Sequence, residues 1–169
     1  MASQTVSATA RLSENEAAVG FTASRQLAES LQAILVELIE LHLQGKQAHW
    51  NLVGHNFRDL HKQLDHIVDE AREASDTVAE RMRSLRAVPD GRSDTVVATT
   101  TLPKFPEGEL SVAAVVDLIT TRLYTATATM RRLHDGIDAD DPSTADILHA
   151  IIDSLEQQAW MISAENRQV

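Results

Sequence analysis

The chain has 169 residues, of which 43% are hydrophobic and 24% charged, so it has enough apolar side chains for one buried core and is not a disordered tail. Acidic residues outnumber Lys and Arg by 25 to 15, and the formal charge of -10 disfavours nucleic-acid binding unless a local basic patch exists. Cysteine is absent, which excludes disulfides, thiolate-ligated zinc and thiol catalysis and leaves 7 histidines as the softest metal ligands. No apolar run approaches the ~20 residues of a membrane span, and no basic, apolar leader is visible, so we expect a cytoplasmic protein.

Four segments have the apolar periodicity of amphipathic helices, and none has a convincing run of strand alternation. The predicted helices cover residues 24–52, 58–86, 111–136 and about 141–162. Gly54 ends the first helix, and the linker that follows is so short that the first two helices should be antiparallel neighbours. Gly136 is the predicted end of the third helix, and Asp141 followed by Pro142 is the predicted N-cap and first turn of the fourth.

The connection between the second and third helices is long and rich in proline. Residues 87–110 contain Pro89, Pro103 and Pro106, so they cannot form one long helix. When extended, this segment exceeds the ~42 Å length of the second helix and can cross the whole bundle. Two antiparallel hairpins joined by one crossover have ferritin-like topology. We therefore predict an all-α, ferritin-like four-helix domain over residues 21–169, preceded by a flexible arm over residues 1–20.

Five potential metal ligands surround the first predicted hairpin in the spacing H-x11-H-x3-D-x10-D-x3-E. They are His49, His61, Asp65, Asp76 and Glu80. The four on the second helix form two i, i+4 pairs within an arc of ~100°, which places each pair within reach of one ion. The alternative for such a face is a solvated surface whose acids are tied into salt bridges with residues such as Arg72.

The axial spacing of these ligands adds a constraint. Asp65 and Asp76 are separated by ~16 Å along a helix, whereas metal bonds to nitrogen and oxygen are only ~2 Å long. A twofold axis across the second helix would bring the two halves together and create two equivalent sites per dimer. Two imidazoles and three carboxylates suit Fe(II), with Mn and Zn as competitors. An intra-bundle di-iron site is disfavoured because no glutamate has a histidine three residues later.

Residues 44–82, QGKQAHWNLVGHNFRDLHKQLDHIVDEAREASDTVAERM, resemble the signature region of the Dps family, the mini-ferritins. The resemblance extends from about residue 24 to the end of the chain. It implies a hollow homo-oligomeric shell of twelve subunits, with a short helix inside the crossover. It also implies ferroxidase sites in which His49, His61 and Asp65 come from one chain and Asp76 and Glu80 from its twofold mate. Trp50 matches the family tryptophan beside the site.

The resemblance further implies a ferroxidase that oxidises Fe(II) with hydrogen peroxide or dioxygen and stores the ferric product as a mineral, protecting against oxidative damage. An acidic run follows Arg132, and the resemblance favours Asp141 and Asp146 as residues of an iron-uptake pore. The alternative is an ordinary solvated acidic face. Candidate mineral-nucleating residues are Asp69, Glu70 and Glu73.

A second function, from another class, is that of a DNA-coating, nucleoid-associated structural protein. Family members that coat DNA usually do so with lysine-rich terminal arms, but the first 20 residues contain no lysine. The remaining basic candidates lie where the second helix enters the crossover: Arg81, Arg83, Arg86 and Arg92. We expect weak or absent DNA binding. A helical assembly or metal buffer without catalysis is a third alternative, which the intact ligand set disfavours.

Overall fold

The computed structural model describes residues 20–167. The elements are helices α1 (Arg25–Asn51), α2 (Phe57–Ser84), α3 (Ser93–Thr99), α4 (Val112–Asp140) and α5 (Pro142–Ser163), strands β1 (Leu52–Val53) and β2 (Leu110–Ser111), and a 3₁₀ turn at Ala164–Asn166. The predicted all-α, ferritin-like four-helix bundle is confirmed. Apart from Gly20, the predicted N-terminal arm lies outside the described residues.

The bundle consists of two helical hairpins. Helix α1 packs along α2, helix α4 packs along α5, and the hairpins meet through the α1–α4 and α2–α5 contacts. The apolar stripe predicted on the second helix faces this core, because Leu60, Leu64, Ile67, Ala71 and Val78 are each at most 4% exposed. Burial of these stripes is the main stabilisation of helices that would be marginal in isolation.

The first helix begins close to its predicted start, but one predicted helix end is wrong. The hydroxyl of Ser24 accepts the backbone N–H of Leu27 at 3.0 Å, so α1 begins as expected. The prediction that Gly136 ends the third helix is incorrect, because α4 continues to Asp140. A glycine inside a helix costs only about 1 kcal/mol. Ile137, only 1% exposed, anchors the extra turn in the core.

A short parallel strand pair joins the two hairpins. Leu52 pairs with Leu110 and Val53 with Ser111, which ties the end of α1 to the start of α4. No strand is predicted here from the sequence, because two residues are too few to show alternation. The positive φ of Gly54 (125°) then turns the chain towards α2, as the glycine predicted.

The crossover contains the expected short helix, α3, and buried polar groups fix the segment to α1. The carboxylate of Glu37, only 2% exposed, accepts the backbone N–H of Thr101 at 2.8 Å and the hydroxyl of Thr100 at 3.2 Å. The amide of Gln32 donates to the Asp90 carbonyl and accepts the Asp90 N–H, both at 2.8 Å. These bonds satisfy backbone groups that no regular element satisfies.

A buried guanidinium holds the second half of the crossover. Arg122 on α4 donates to the carbonyls of Pro103 at 3.0 Å, Lys104 at 3.2 Å and Leu118 at 2.9 Å. Its charge lies 4.9 Å from the centre of the Phe105 ring, within cation–π range. Burial lowers the pKa of Arg122, but these three carbonyls and the side-chain oxygen of Gln44 accept hydrogen bonds from the guanidinium and keep the cation satisfied.

Within residues 20–167, no helix combines the length and the apolar character that a bilayer crossing needs.

The junction between α4 and α5 is stabilised by an ion pair to the end of α2. The carboxylate of Asp141 is buried and accepts the guanidinium of Arg81 at 2.6 Å and the hydroxyl of Thr144. The expected N-cap at Asp141 is present, but its side chain accepts side-chain donors instead of capping the helix backbone. Burial raises the pKa of Asp141, but the bonds from Thr144 and Arg81 outweigh it and hold the pKa below its usual range.

We predict that Asp141→Asn lowers the free energy of unfolding by about 2 kcal/mol at neutral pH, because Arg81 would lose a charged partner. A depressed carboxyl pKa contributes stability above the unfolded value of about 3.9, and that contribution disappears as pH falls through the folded value. Urea unfolding at neutral pH and at about pH 3 should therefore show a difference that shrinks on acidification. Asp138→Asn, an exposed neighbour on α4, is the matched control. An Asp141→Asn variant as stable as wild type at neutral pH would show that the ion pair between Asp141 and Arg81 does not stabilise the fold.

Candidate metal centre

Three of the five predicted ligands meet between the end of α1 and the start of α2. Ligand atoms of His49, His61 and Asp65 lie within 4.8 Å of one another, and no other group of three such residues does so within residues 20–167. The antiparallel hairpin explains the meeting, because a short connection returns α2 alongside the last turns of α1. His49 is buried, whereas His61 and Asp65 are partly exposed.

The two imidazoles are oriented by reciprocal bonds to the backbone. Nδ1 of His49 donates to the carbonyl of His61 at 3.0 Å, and Nδ1 of His61 donates to the carbonyl of His49 at 3.1 Å. Because a carbonyl oxygen only accepts, each Nδ1 carries the proton and each Nε2 keeps a free lone pair. The rings are stacked with centroids 3.6 Å apart, and Phe57 lies 5.1 Å from the His61 ring. Both Nε2 atoms are thus available as metal ligands.

An ammonium group occupies the carboxylate side of the cluster. Lys46 Nζ lies 2.6 Å from Asp65 Oδ1, and Nδ1 of His49 lies 3.2 Å from the same oxygen. The hydrogen bond from Lys46 is the main reason that the pKa of Asp65 is lowered. Asp65 is therefore a ready anionic ligand, and a cation entering the site competes with Lys46 for this carboxylate. Lys46 is not among the residues predicted from the sequence, although its position three residues before His49 places both on one helix face.

The other two predicted ligands lie farther along α2. Asp76 and Glu80 are exposed, and neither forms an ion pair with another described residue. The structure does not bring them together with His49, His61 and Asp65 within one chain, in agreement with the ~16 Å helical separation.

The surface around the cluster is apolar. Trp50 is 67% exposed, Val53 43% and Phe57 42%, and all three lie on or between the helix ends that carry the histidines. Large apolar side chains exposed together are typical of a surface that another protein covers.

The remaining predicted acidic residues differ in whether their carboxylates are exposed or already bound by other side chains. Asp146 is exposed on the first turns of α5, whereas the Asp141 carboxylate is already bound by Arg81. Of the candidate mineral-nucleating residues, Asp69 and Glu73 are exposed. Glu70 accepts hydrogen bonds from Ser154 and Gln158, both at 2.6 Å, and so joins α2 to α5.

Comparison with known proteins agrees with the fold. The ferritin-like domain family matches residues 28–169. The DNA protection during starvation protein of Agrobacterium fabrum is 35% identical over 136 residues, which are 79% of this chain and 83% of that protein. DNA protection during starvation protein 2 of Deinococcus radiodurans is 34% identical over 147 residues, 87% of this chain, and the match spans 61% of the relative's length. The crystal structure of Dps92 from Deinococcus radiodurans has a TM-score of 0.83 at 33% identity, covering 86% of this chain and 88% of the other.

We predict that Lys46→Gln strengthens binding of a divalent cation, because the metal would no longer compete with an ammonium for Asp65. Both side chains are partly exposed, so solvent screening reduces the effect to roughly threefold to tenfold in affinity. Zn²⁺ titration calorimetry on the assembled protein measures it. Lys62→Gln removes an exposed lysine from α2 and serves as the control. If Lys46→Gln binds zinc more weakly than wild type, Lys46 supports the site and does not compete with the metal.

Proposed function

The chain belongs to the Dps family of ferritin-like proteins, and on this premise we propose that it is a ferroxidase that oxidises Fe(II) and stores the ferric product inside a homo-oligomeric cage. The observation that carries the proposal is the pair of backbone-held imidazoles beside an anionic carboxylate at His49, His61 and Asp65. Neutral imidazoles and carboxylates suit Fe(II), and three ligands from one chain leave coordination positions open for further ligands and an oxidant.

We propose that the coordination is completed by a second subunit. The carboxylates of Asp76 and Glu80 are exposed and form no ion pair among the described residues, and the apolar side chains of Trp50, Val53 and Phe57 are exposed within a few residues of His49 or His61 in the chain. An isologous contact between two α1–α2 hairpins would cover this apolar surface and supply the missing carboxylates to both sites at once. In the expected cage of twelve subunits, this twofold contact would recur between pairs of subunits, and other symmetry axes would relate the pairs.

The proposed reaction uses iron as substrate and hydrogen peroxide as oxidant. Two Fe(II) ions each give one electron to peroxide, the O–O bond breaks, and both oxygen atoms leave as water or hydroxide. Because the two electrons are transferred together, no hydroxyl radical is released. Hydrolysis of Fe(III) then gives ferric oxyhydroxide and releases protons. Dioxygen is the alternative oxidant.

In this reaction the protein binds iron, orients it and excludes bulk water. Asp65 supplies negative charge at neutral pH, as an aspartate ordinarily does, and the hydrogen bond from Lys46 lowers its pKa further. The reciprocal backbone bonds keep both imidazoles in the one tautomer that can ligate through Nε2. The aromatic rings of Trp50 and Phe57 exclude water when a second subunit covers them.

We further propose that cations reach the cage through an acidic funnel formed by symmetry copies of the α4–α5 junction. Asp146 carries this role, because its carboxylate is exposed, whereas that of Asp141 is neutralised by Arg81. Asp69 and Glu73 are proposed as sites of mineral nucleation. The proposed location is the cytoplasm, where reduced iron and peroxide meet.

The shared site predicts complementation between two inactive variants. His61→Ala, Asp65→Ala removes the histidine half, and Asp76→Ala, Glu80→Ala removes the carboxylate half. Equal co-assembly should restore about a quarter of wild-type Fe(II) oxidation, because half of the twofold pairs are mixed and each has one intact site of two. Peroxide-dependent oxidation, measured together with sedimentation, tests this. His66→Ala, Asp59→Ala, with the same residue types on the same helix, should remain active.

Hybrids that sediment like wild type but stay inactive would contradict the shared site. Activity in either parent variant alone would contradict the ligand assignment.

DNA coating is the alternative function, and the structure places two of the four candidate arginines in ion pairs. Arg81 is bound by Asp141 at 2.6 Å and Arg92 by Asp90 at 2.7 Å, which leaves Arg83 and Arg86 as the exposed remainder of the patch. Two exposed arginines per chain do little to offset the repulsion between DNA phosphates and a chain whose formal charge is -10.

We therefore predict no tight binding of duplex DNA in a gel-shift titration at ~150 mM salt without divalent cations. Arg83→Gln, Arg86→Gln should change nothing under these conditions. Tight binding with a steep salt dependence, lost in that double variant, would favour the DNA-coating function.

A further inference from the structure

A second histidine pair lies on the other hairpin, between α4 and α5. Nε2 of His134 and Nε2 of His149 are 2.6 Å apart, and the two rings are stacked with centroids separated by 4.6 Å. His134 is partly buried, whereas the side chain of His149 is 58% exposed. This pair belongs to a different part of the bundle from the His49 cluster and has no role in the iron oxidation proposed above.

Each imidazole of this pair has a carboxylate behind it. Asp135 Oδ1 lies 3.3 Å from Nδ1 of His134, and Asp146 Oδ1 lies 3.6 Å from Nδ1 of His149. An ionised carboxylate only accepts, so Nδ1–H of His134 donates to Asp135 and its Nε2 presents a lone pair to the His149 ring. The 3.6 Å contact of Asp146 is too long for a hydrogen bond and acts on His149 through its charge. Two imidazole nitrogens 2.6 Å apart repel unless a proton or a metal cation lies between them.

The pair lines a groove of about 480 Å³ that also contains Asp153. Asp153 follows His149 by four residues on α5, the same His-x3-Asp spacing that joins His61 to Asp65 at the first site. Asp153 is exposed and takes part in none of the ion pairs among residues 20–167. The neighbouring Glu156, in contrast, is occupied by a two-pronged contact with Arg131 at 2.6 and 2.7 Å.

We propose that His134 and His149 bind a divalent transition-metal cation of the zinc class through their Nε2 atoms, with the Asp153 carboxylate and water completing the coordination. The carboxylates of Asp135 and Asp146 orient the rings and increase their basicity, as carboxylates behind metal-bound histidines do. Two imidazoles select Zn²⁺, Co²⁺, Ni²⁺ or Fe²⁺ over Mg²⁺ and Ca²⁺, which prefer all-oxygen sites.

Metal binding requires only a small movement. Tetrahedral ligation with Zn–N bonds of about 2.1 Å separates the two nitrogens by about 3.4 Å, so the rings must part by less than 1 Å. The exposed ring of His149 can make this movement towards solvent. Asp153 lines the same groove one turn after His149, and its exposed side chain is free to rotate towards the ion.

Zn²⁺ titration calorimetry on the assembled protein tests the site. The background is His61→Ala, Asp65→Ala, which removes the histidine half of the first site. This background should still bind about one zinc per chain, and adding His134→Ala, His149→Ala should abolish that binding. Asp135→Asn and Asp146→Asn should each weaken it by about 10-fold to 100-fold. His55→Ala, an exposed histidine elsewhere, is the matched control and should leave binding unchanged.

A second readout is the visible spectrum of bound Co²⁺, which should show nitrogen ligation in the background protein and lose it in His134→Gln alone. Sedimentation and far-ultraviolet dichroism establish that every variant is folded and assembled. If the background binds no zinc, a shared proton holds the rings together and the proposal is wrong. Zinc binding that survives the loss of both histidines would also overturn it, because the metal would then lie elsewhere.

Discussion

The close approach of α1 and α2 is the constraint on which the metal centre depends. A Cβ atom added to Gly45 would lie 2.9 Å from a methyl carbon of Val68, so the two helices touch where a side chain has no room. Lys46, the next residue, reaches across to Asp65, and farther on the His49 and His61 rings each bond to the other residue's carbonyl. Each of these contacts spans a gap that a wider helix pair would not close.

The second hairpin is positioned through buried polar groups as well as apolar packing. The crossover gives up regular backbone hydrogen bonds over most of its length, and each buried amide or carbonyl there needs another partner. Glu37 on α1 and Arg122 on α4 supply those partners from opposite sides. The two-residue ladder of β1 and β2 then joins the end of α1, next to His49, to the first residue before α4. The polar contacts therefore determine how the hairpins face each other.

The periodic features of the fold could be predicted from sequence, whereas contacts between distant segments could not. The predicted helix starts near Ser24 and Ser111 are confirmed, and the structure shows that both serine side chains cap their helices. Gly136 gave the wrong end because local propensity is weaker than the burial of Ile137, which follows it. The bond between Arg81 and Asp141 spans 60 residues and leaves no periodic signal.

The same distinction applies to the sites. His61 and Asp65 share one helix, so their spacing alone predicted that they are neighbours. His134 and His149 lie on different helices, and their meeting depends on how α4 and α5 are rotated about their axes. The sequence shows the acids around them but not that the two rings converge. Lys46 was visible by its spacing to His49, but only the hairpin geometry shows that Asp65 is its partner.

The two histidine pairs also differ in what lies behind the rings, and this difference bears on how each would hold a metal. The imidazoles of His49 and His61 donate to neutral carbonyls, and the one carboxylate near these Nδ1 atoms, that of Asp65 beside His49, is already held by Lys46. Those of His134 and His149 face carboxylates, which strengthen a metal-bound imidazole. A site that must take up and release iron gains from weaker ligands and from a lysine that competes for its carboxylate. A site with carboxylate-backed imidazoles and no such competitor is suited to retaining its cation.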